Sequence, residues 1–152
     1  MDVTSRTSFL VKRLQMQLAW LMEQELKKHE MTNGQFAVLS TIARFSGESS
    51  AEIARRLRVK PQALNEFVPP FEQRGLIERR GHPDNKRILC VFLTAEGKRV
   101  LAKCSDVVDR LEAELHSDFA PDELAAFRSV TKKLSDAANR MMSQREKTED
   151  AA

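Results

Sequence analysis

Glycine and proline are scarce in this chain, five of each in 152 residues. The connections between elements therefore have to be short. Neither an internal repeat nor a low-complexity segment is present. Cysteine is scarcer still. Cys90 and Cys104 are the only two, which excludes a disulfide framework in a chain of this length. Both read as small apolar side chains. A redox role would need an exposed thiol of low pKa, and no neighbouring residue supplies one clearly. Long apolar runs are missing as well: none approaches the roughly 18 residues that a spanning helix requires. The opening stretch MDVTSRTSFLVKRL has no apolar block ahead of a small-residue cleavage site. No secretory signal is expected, and the cytoplasm is the default location.

Catalytic signatures are also absent. There is no Gly-rich phosphate loop, no nucleophile elbow, and no Cys–His or Ser–His spacing with a local signature. His29, His82 and His116 are scattered and share no metal-ligand spacing with each other or with the cysteines. An enzyme is not expected, nor a cofactor or a resident metal.

What is present is charge, and it is unevenly spread. Residues 1–50 hold 6 basic and 5 acidic residues, residues 51–100 hold 11 and 6, and residues 101–152 hold 8 and 11. A basic excess confined to the central third is the footprint of a polyanion partner. A hydrophobic content of 41% is enough for one packed domain, and a charged content of 31% argues against a membrane protein.

The periodicity is mostly helical. Phe9, Leu10, Leu14, Leu18, Leu21, Met22 and Leu26 give one apolar face to a helix over 8–29. Thr32 to Gln35 and Ser49 to Glu52 are capping boxes, each opening a further helix. Pro61 suits the first position of the next helix, which Gly75 ends. Leu76 to Arg79 and Ile88 to Thr94 read as strands around a tip of Gly, Pro, Asp and Asn. Thr94 caps a long helix to about His116, and Pro121 starts the last one. The C-terminal MSQREKTEDAA is polar and is expected to fray. The terminal helices are apolar on one face, to be covered by each other, by a second copy, or by both.

A short capped helix, a tight turn, a second helix and a basic hairpin place one helix in a DNA groove and a charged finger beside it. The chain resembles the MarR family of transcriptional regulators. The resemblance is carried by SAEIARRLRVKPQALN, RGLIERR and KRILCVFLTAEG, above all by the closing Leu93-Thr94-Ala95-Glu96-Gly97. It implies a mainly α winged helix–turn–helix fold with six helices and a two-stranded wing. The whole of 1–152 would form one domain, with a DNA-binding lobe over about 32–97 and dimerisation helices over about 8–29 and 97–142. It further implies a homodimer on a pseudo-palindromic DNA operator, acting as a repressor that a small aromatic or amphipathic effector relieves.

By position, the resemblance makes the helix from Pro61 the recognition helix. Lys60, Gln62, Ala63 and Asn65 would meet base edges, and Glu66 would either accept from cytosine or repel phosphate. Ser49 and Ser50 would hold a backbone phosphate. In the wing, Arg87 would enter the minor groove beside Lys86, with Arg79, Arg80 and His82 on phosphates. An effector crevice would draw on Arg13, Met16, Trp20, Phe36 and Phe45.

Two departures stand out. The family's wing aspartate, which braces the arginine, is replaced by Asn85, with Asp84 one residue earlier as a substitute. Pro69-Pro70 interrupts the recognition helix, at roughly 3 kcal/mol for each proline in a helix interior. The helix is expected to kink, or to end near Phe67 and restart at Pro70, weakening DNA recognition. If reading were lost, the chain would be a dimeric protein- or ligand-binding module instead.

Overall fold

The computed structural model describes residues 3–149. After a 3-10 turn at Val3–Ser5 come α1 (Thr7–Lys27), α2 (Asn33–Arg44), α3 (Ser50–Leu57), α4 (Pro61–Gln73), β1 (Ile77–Gly81), β2 (Leu89–Leu93), α5 (Ala95–Leu115) and α6 (Pro121–Glu149). The expected six helices and two-stranded wing are all present. The chain divides into two compact units, Met1–Leu111 and Glu112–Ala152.

In the first unit the core is a single apolar cluster. Leu26, Met31, Leu39, Ile42, Ile53, Leu64, Phe71, Val91 and Cys104 are all essentially inaccessible. They come from α1, the α1–α2 turn, α2, α3, α4, β2 and α5, and Ile77 brings β1 into the same cluster. The expected caps do their work. Thr32 and Ser49 each form a complete capping box, with Gln35 and Glu52 respectively. Asn33 locks the start of α2 to α1, its N–H donating to Glu23 Oε2 at 2.9 Å and its side-chain amide to Ala19 O at 2.6 Å.

β1 and β2 pair antiparallel from Ile77↔Leu93 to Gly81↔Leu89. β2 is also held along its other edge: Val91 N–H donates to Glu48 O and Gly47 N–H to Val91 O, at 3.0 and 3.1 Å. The wing is thus anchored to the segment that enters α3. β2 starts one residue later than the sequence suggests, leaving Ile88 at the exposed tip.

The proline pair does not break α4. The expectation of an end near Phe67 and a restart at Pro70 is overturned: one helix runs from Pro61 to Gln73 with both prolines inside it. Its spacing supplies the reason. Pro69 and Pro70 are both exposed, and so are Asn65 and Glu66, whose carbonyls lose their i+4 donors. Those carbonyls belong to exposed residues, on the side where water can take the place of a missing N–H. On the opposite side Leu64, Val68 and Phe71 are buried. Each such side chain contributes about 1.5–3 kcal/mol, so together they are of the same order as the proline penalty. The Phe67 and Phe71 rings stack at 6.4 Å, one turn apart across the prolines.

The second unit is dominated by α6, which contains no buried residue. Phe127, Val130, Leu134, Met141 and Met142 are each 46–54% exposed. Of the C-terminal stretch expected to fray, the part as far as Glu149 is helical in α6; the remainder lies outside the described residues.

The junction between wing and α5 is held by Thr94. Its hydroxyl donates to Gly75 O at 2.6 Å and accepts from Gly97 N–H at 3.0 Å, while its own N–H donates to Leu76 O at 3.0 Å. A Cβ on Gly97 would lie 1.9 Å from Leu76 O. Because that obstacle is backbone, Gly97→Ala is expected to cost roughly 3 kcal/mol or more, at or beyond the upper end of overpacking penalties. Urea denaturation checks this; an unchanged midpoint would refute the close-contact account.

Candidate nucleic-acid interface

Two segments project from the lobe. The first is the outer face of α4. Gln62, Asn65 and Glu66 are exposed there, Ala63 is half-buried, and Lys60 stands exposed at the N-cap with no side-chain capping bond. The helix begins on Pro61, whose missing N–H costs nothing at that position. A tight turn with Arg58 in the left-handed region (φ 55°) joins it to α3.

The second is the wing tip, a loop with its own hydrogen bonds. His82 N–H donates to Ile88 O at 2.8 Å, and Ile88 N–H donates to Asn85 O at 2.9 Å. Asn85 Oδ1 accepts from Arg87 N–H at 3.1 Å, and His82 Nδ1 accepts from Asp84 N–H at 3.2 Å. Asn85 therefore shapes the tip through the backbone of Arg87. Asp84 does not brace the Arg87 guanidinium; its side chain is 93% exposed and lies 4.0 Å from His82 Nδ1. The side chains of Lys86 and Arg87 make no hydrogen bond or ion pair among the described residues, and both are exposed.

The remaining cations expected at phosphates are otherwise occupied. Arg79 makes a bidentate pair with Glu72, at 2.7 and 2.6 Å, which ties β1 to the last turn of α4. Arg80 pairs with Glu78 and lies 4.9 Å from the centre of the Phe92 ring. Arg56, which the sequence reading passed over, bonds Glu48 at 3.1 and 2.5 Å and covers Phe45 at 4.1 Å. Its pKa is raised, first by that hydrogen bond and then by the nearby carboxylates against some desolvation.

Ser49 is also committed. Its N–H and hydroxyl both donate to Glu52, at 2.7 and 2.9 Å, and its oxygen accepts from Glu52 N–H at 3.3 Å. Ser50 has no such bond and is half-buried. The capping bonds of Ser49 hold the Glu52 carboxyl below its usual 4.5, helped by Arg55 and Arg56.

The five residues expected to form an effector crevice are not brought together. Met16 and Trp20 line a shallow hollow of 470 Å³ with Gln17 and Leu21. Phe36 and Phe45 pack against the core instead, and Arg13 is an exposed side chain of α1. Cys90 and Cys104 are both buried, as expected of apolar side chains. Burial raises the Cys104 pKa, opposed by Arg74, which makes its thiol a poor nucleophile. Among the described residues no three of His, Cys, Asp and Glu gather to hold a metal ion, and no helix is long and apolar enough to cross a membrane.

The arrangement recurs in known proteins. Residues 31–89, from the turn before α2 to the first residue of β2, match the MarR family model, so this segment is a MarR-type domain. That family is one of transcriptional regulators rather than enzymes. The chain is 29% identical over 108 residues to the transcriptional regulator HosA of Escherichia coli O111:H-, covering 71% of this chain and 80% of HosA. It is 27% identical over 117 residues to the transcriptional repressor MdtR of Bacillus subtilis, covering 77% and 76%. Among solved structures, a mutant MarR from E. coli complexed with operator DNA superposes with a TM-score of 0.77 at 25% identity. That match covers 88% of this chain and 99% of the other.

The Glu52 box carries a pH signature. Its folded pKa is depressed, so its contribution is fully present above the unfolded value near 4.5 and is lost as pH falls through the lower folded value. Glu52→Gln is expected to destabilise the protein at pH 7 and to approach the wild type below about pH 4. Urea midpoints across that range check it. A difference that stays constant with pH would remove the carboxylate from the account.

Proposed function

We propose that the chain is a homodimeric, sequence-specific DNA-binding regulator, acting as a repressor, with the winged lobe over about 32–97 as its DNA-binding part. One observation carries this reading. An unbroken α4 offers Gln62 and Asn65 outward, and an ordered wing beside it holds Lys86 and Arg87 without partners. Polar amides suit base edges, where Gln and Asn pair bidentately with adenine. Unpaired cations suit phosphates and a narrow minor groove. HosA and MdtR, regulators by name, and the MarR–operator complex support the same reading. The alternative module without DNA reading was motivated by a kink or break in α4; the continuity of the helix from Pro61 to Gln73 removes the break and favours DNA reading.

The partner copy would cover apolar surface that the single chain leaves bare. On α1, Phe9, Leu10, Val11, Met16 and Trp20 are 41–63% exposed, and on α6 Phe127, Val130 and Leu134 are 46–54% exposed. Burying such faces stabilises association by about 25 cal/mol for each Å² of apolar surface removed from water. A small aromatic or amphipathic effector would enter beside Met16 and Trp20, where a hollow already exists. Cytoplasmic residence follows from a chromosomal DNA partner.

Two expectations follow from the charge pattern and the bare faces. Arg87→Ala should lower the slope of log affinity against log salt by about one for each protomer bound. Arg79→Ala should leave that slope nearly unchanged, since Arg79 is neutralised by Glu72. Duplex titrations at several salt concentrations check this; equal slope changes for the two variants would overturn the division into free and engaged cations. Second, Leu134→Glu should convert dimers to monomers in light scattering. A wild-type protein that is already monomeric at micromolar concentration would end the dimer reading.

A further inference from the structure

We propose that Glu66 is a base-reading residue that selects cytosine in the major groove. The inference rests on the DNA-regulator reading and deepens it. It starts from how the other carboxylates around the lobe are disposed. Glu48 is bonded to Arg56, Glu72 to Arg79 and Glu78 to Arg80. Glu52 is held in the cap of α3, and Glu96 pairs with Arg99. Asp84 sits at the wing tip, 4.0 Å from His82. Among the described carboxylates of α3, α4 and the wing, Glu66 alone has neither a hydrogen bond nor an ion pair through its side chain.

Its surroundings offer no neutralising charge along the helix. Between Lys60 and Arg74 the sequence PQALNEFVPPFEQ contains no cation. One turn before Glu66 stands Gln62, and one turn after it stands Pro70, which has neither a charge nor a side-chain donor. Glu66 is exposed on the same side of α4 as Gln62, Asn65, Pro69 and Pro70. The cations lie outside this strip, at Lys60 before it and at Lys86 and Arg87 in the wing.

A bare carboxylate on a surface that meets a polyanion has two fates. Beside a phosphate it is repelled, and nothing within the helix offsets that repulsion. Over the floor of the groove it finds amino groups. Cytosine presents an N4 amino donor there. Adenine presents N6 as well, but its N7 acceptor lies alongside and opposes a carboxylate. Guanine presents only acceptors at O6 and N7, and thymine presents O4. A carboxylate therefore favours cytosine and penalises guanine and thymine, which makes it both an attractive and an excluding element. The strip of Gln62, Asn65 and Glu66 then reads amino-bearing bases through three side chains of different preference, while the cations on either side hold the backbone.

The test is selection of bound duplexes from a random pool with the full-length protein, the wild type beside Glu66→Ala and Glu66→Gln. Glu66 is exposed and unbonded, so both variants are expected to fold, which their thermal midpoints verify. The wild type should enrich a site with cytosine at one position of each half-site. Replacing that cytosine by guanine should cost roughly tenfold or more in affinity. Glu66→Ala should abolish the preference at that position alone, and Glu66→Gln should move it toward adenine. If both variants keep the wild-type base preferences and bind all duplexes more tightly, Glu66 is only a repelling charge and the inference fails, while the DNA-regulator reading stands. If the wild type enriches no duplex, the DNA-regulator reading itself fails and this inference with it.

Discussion

Thr94 joins four elements at one point. Its hydroxyl and N–H reach the carbonyls of Gly75 and Leu76, just after α4 and just before β1, while it sits between the end of β2 and the start of α5. Gly97, one turn on, has no side chain and lets α5 come against Leu76 O. If α5 stood further out, the strand pair could not start directly after α4, and the wing would lose its fixed direction relative to the recognition helix. Arg79 and Glu72 add a second tie between the same two elements from the outside. The relative placement of α4 and the wing thus depends on a short set of hydrogen bonds and one close approach.

Around that frame, charge is sorted by role. Arg56, Arg79 and Arg80 hold pieces of the lobe together: the α3 entry, the end of α4 and the face of the wing sheet. Lys86 and Arg87 carry no such duty and stand at the end of an ordered loop. The net excess in the central third of the chain therefore overstates the number of cations available to a partner. A basic residue count measures composition, whereas binding depends on which side chains have no internal carboxylate to satisfy them.

The sequence made the architecture legible because its signals were local and mutually consistent. Two capping boxes, Pro61 at a helix start, and the Leu93 to Gly97 ending each map to a boundary within one or two residues. Propensity alone places a break at Pro69-Pro70 because it ignores the direction in which each residue points. Both rings and both orphaned carbonyls fall on the wet side, and burial of Leu64, Val68 and Phe71 on the dry side preserves the helix. At the site, Gln62, Asn65, Lys86 and Arg87 are exposed as expected and the Ser49–Glu52 capping box is legible in the sequence, whereas the engagement of Arg79 and Arg80 is not. Those two pairings join residues 7 and 2 positions apart through geometry that only the fold defines. The proposed effector set mixed three surface residues of α1, Arg13, Met16 and Trp20, with two aromatics packed against the core, a distinction that residue type alone does not make.

The absence of positive charge on the outer face of α4 has a kinetic consequence. A protein that searches a chromosome spends most of its time on wrong sequence, held there by its cations. Here those cations flank the reading helix, and the helix itself presents amides, a carboxylate and two proline rings. If α4 reads bases as proposed, the flanks would attract on an unsuitable stretch while the centre pushes away, so the molecule would scan at arm's length and dwell briefly; only where the groove floor answers the helix would the encounter become long-lived.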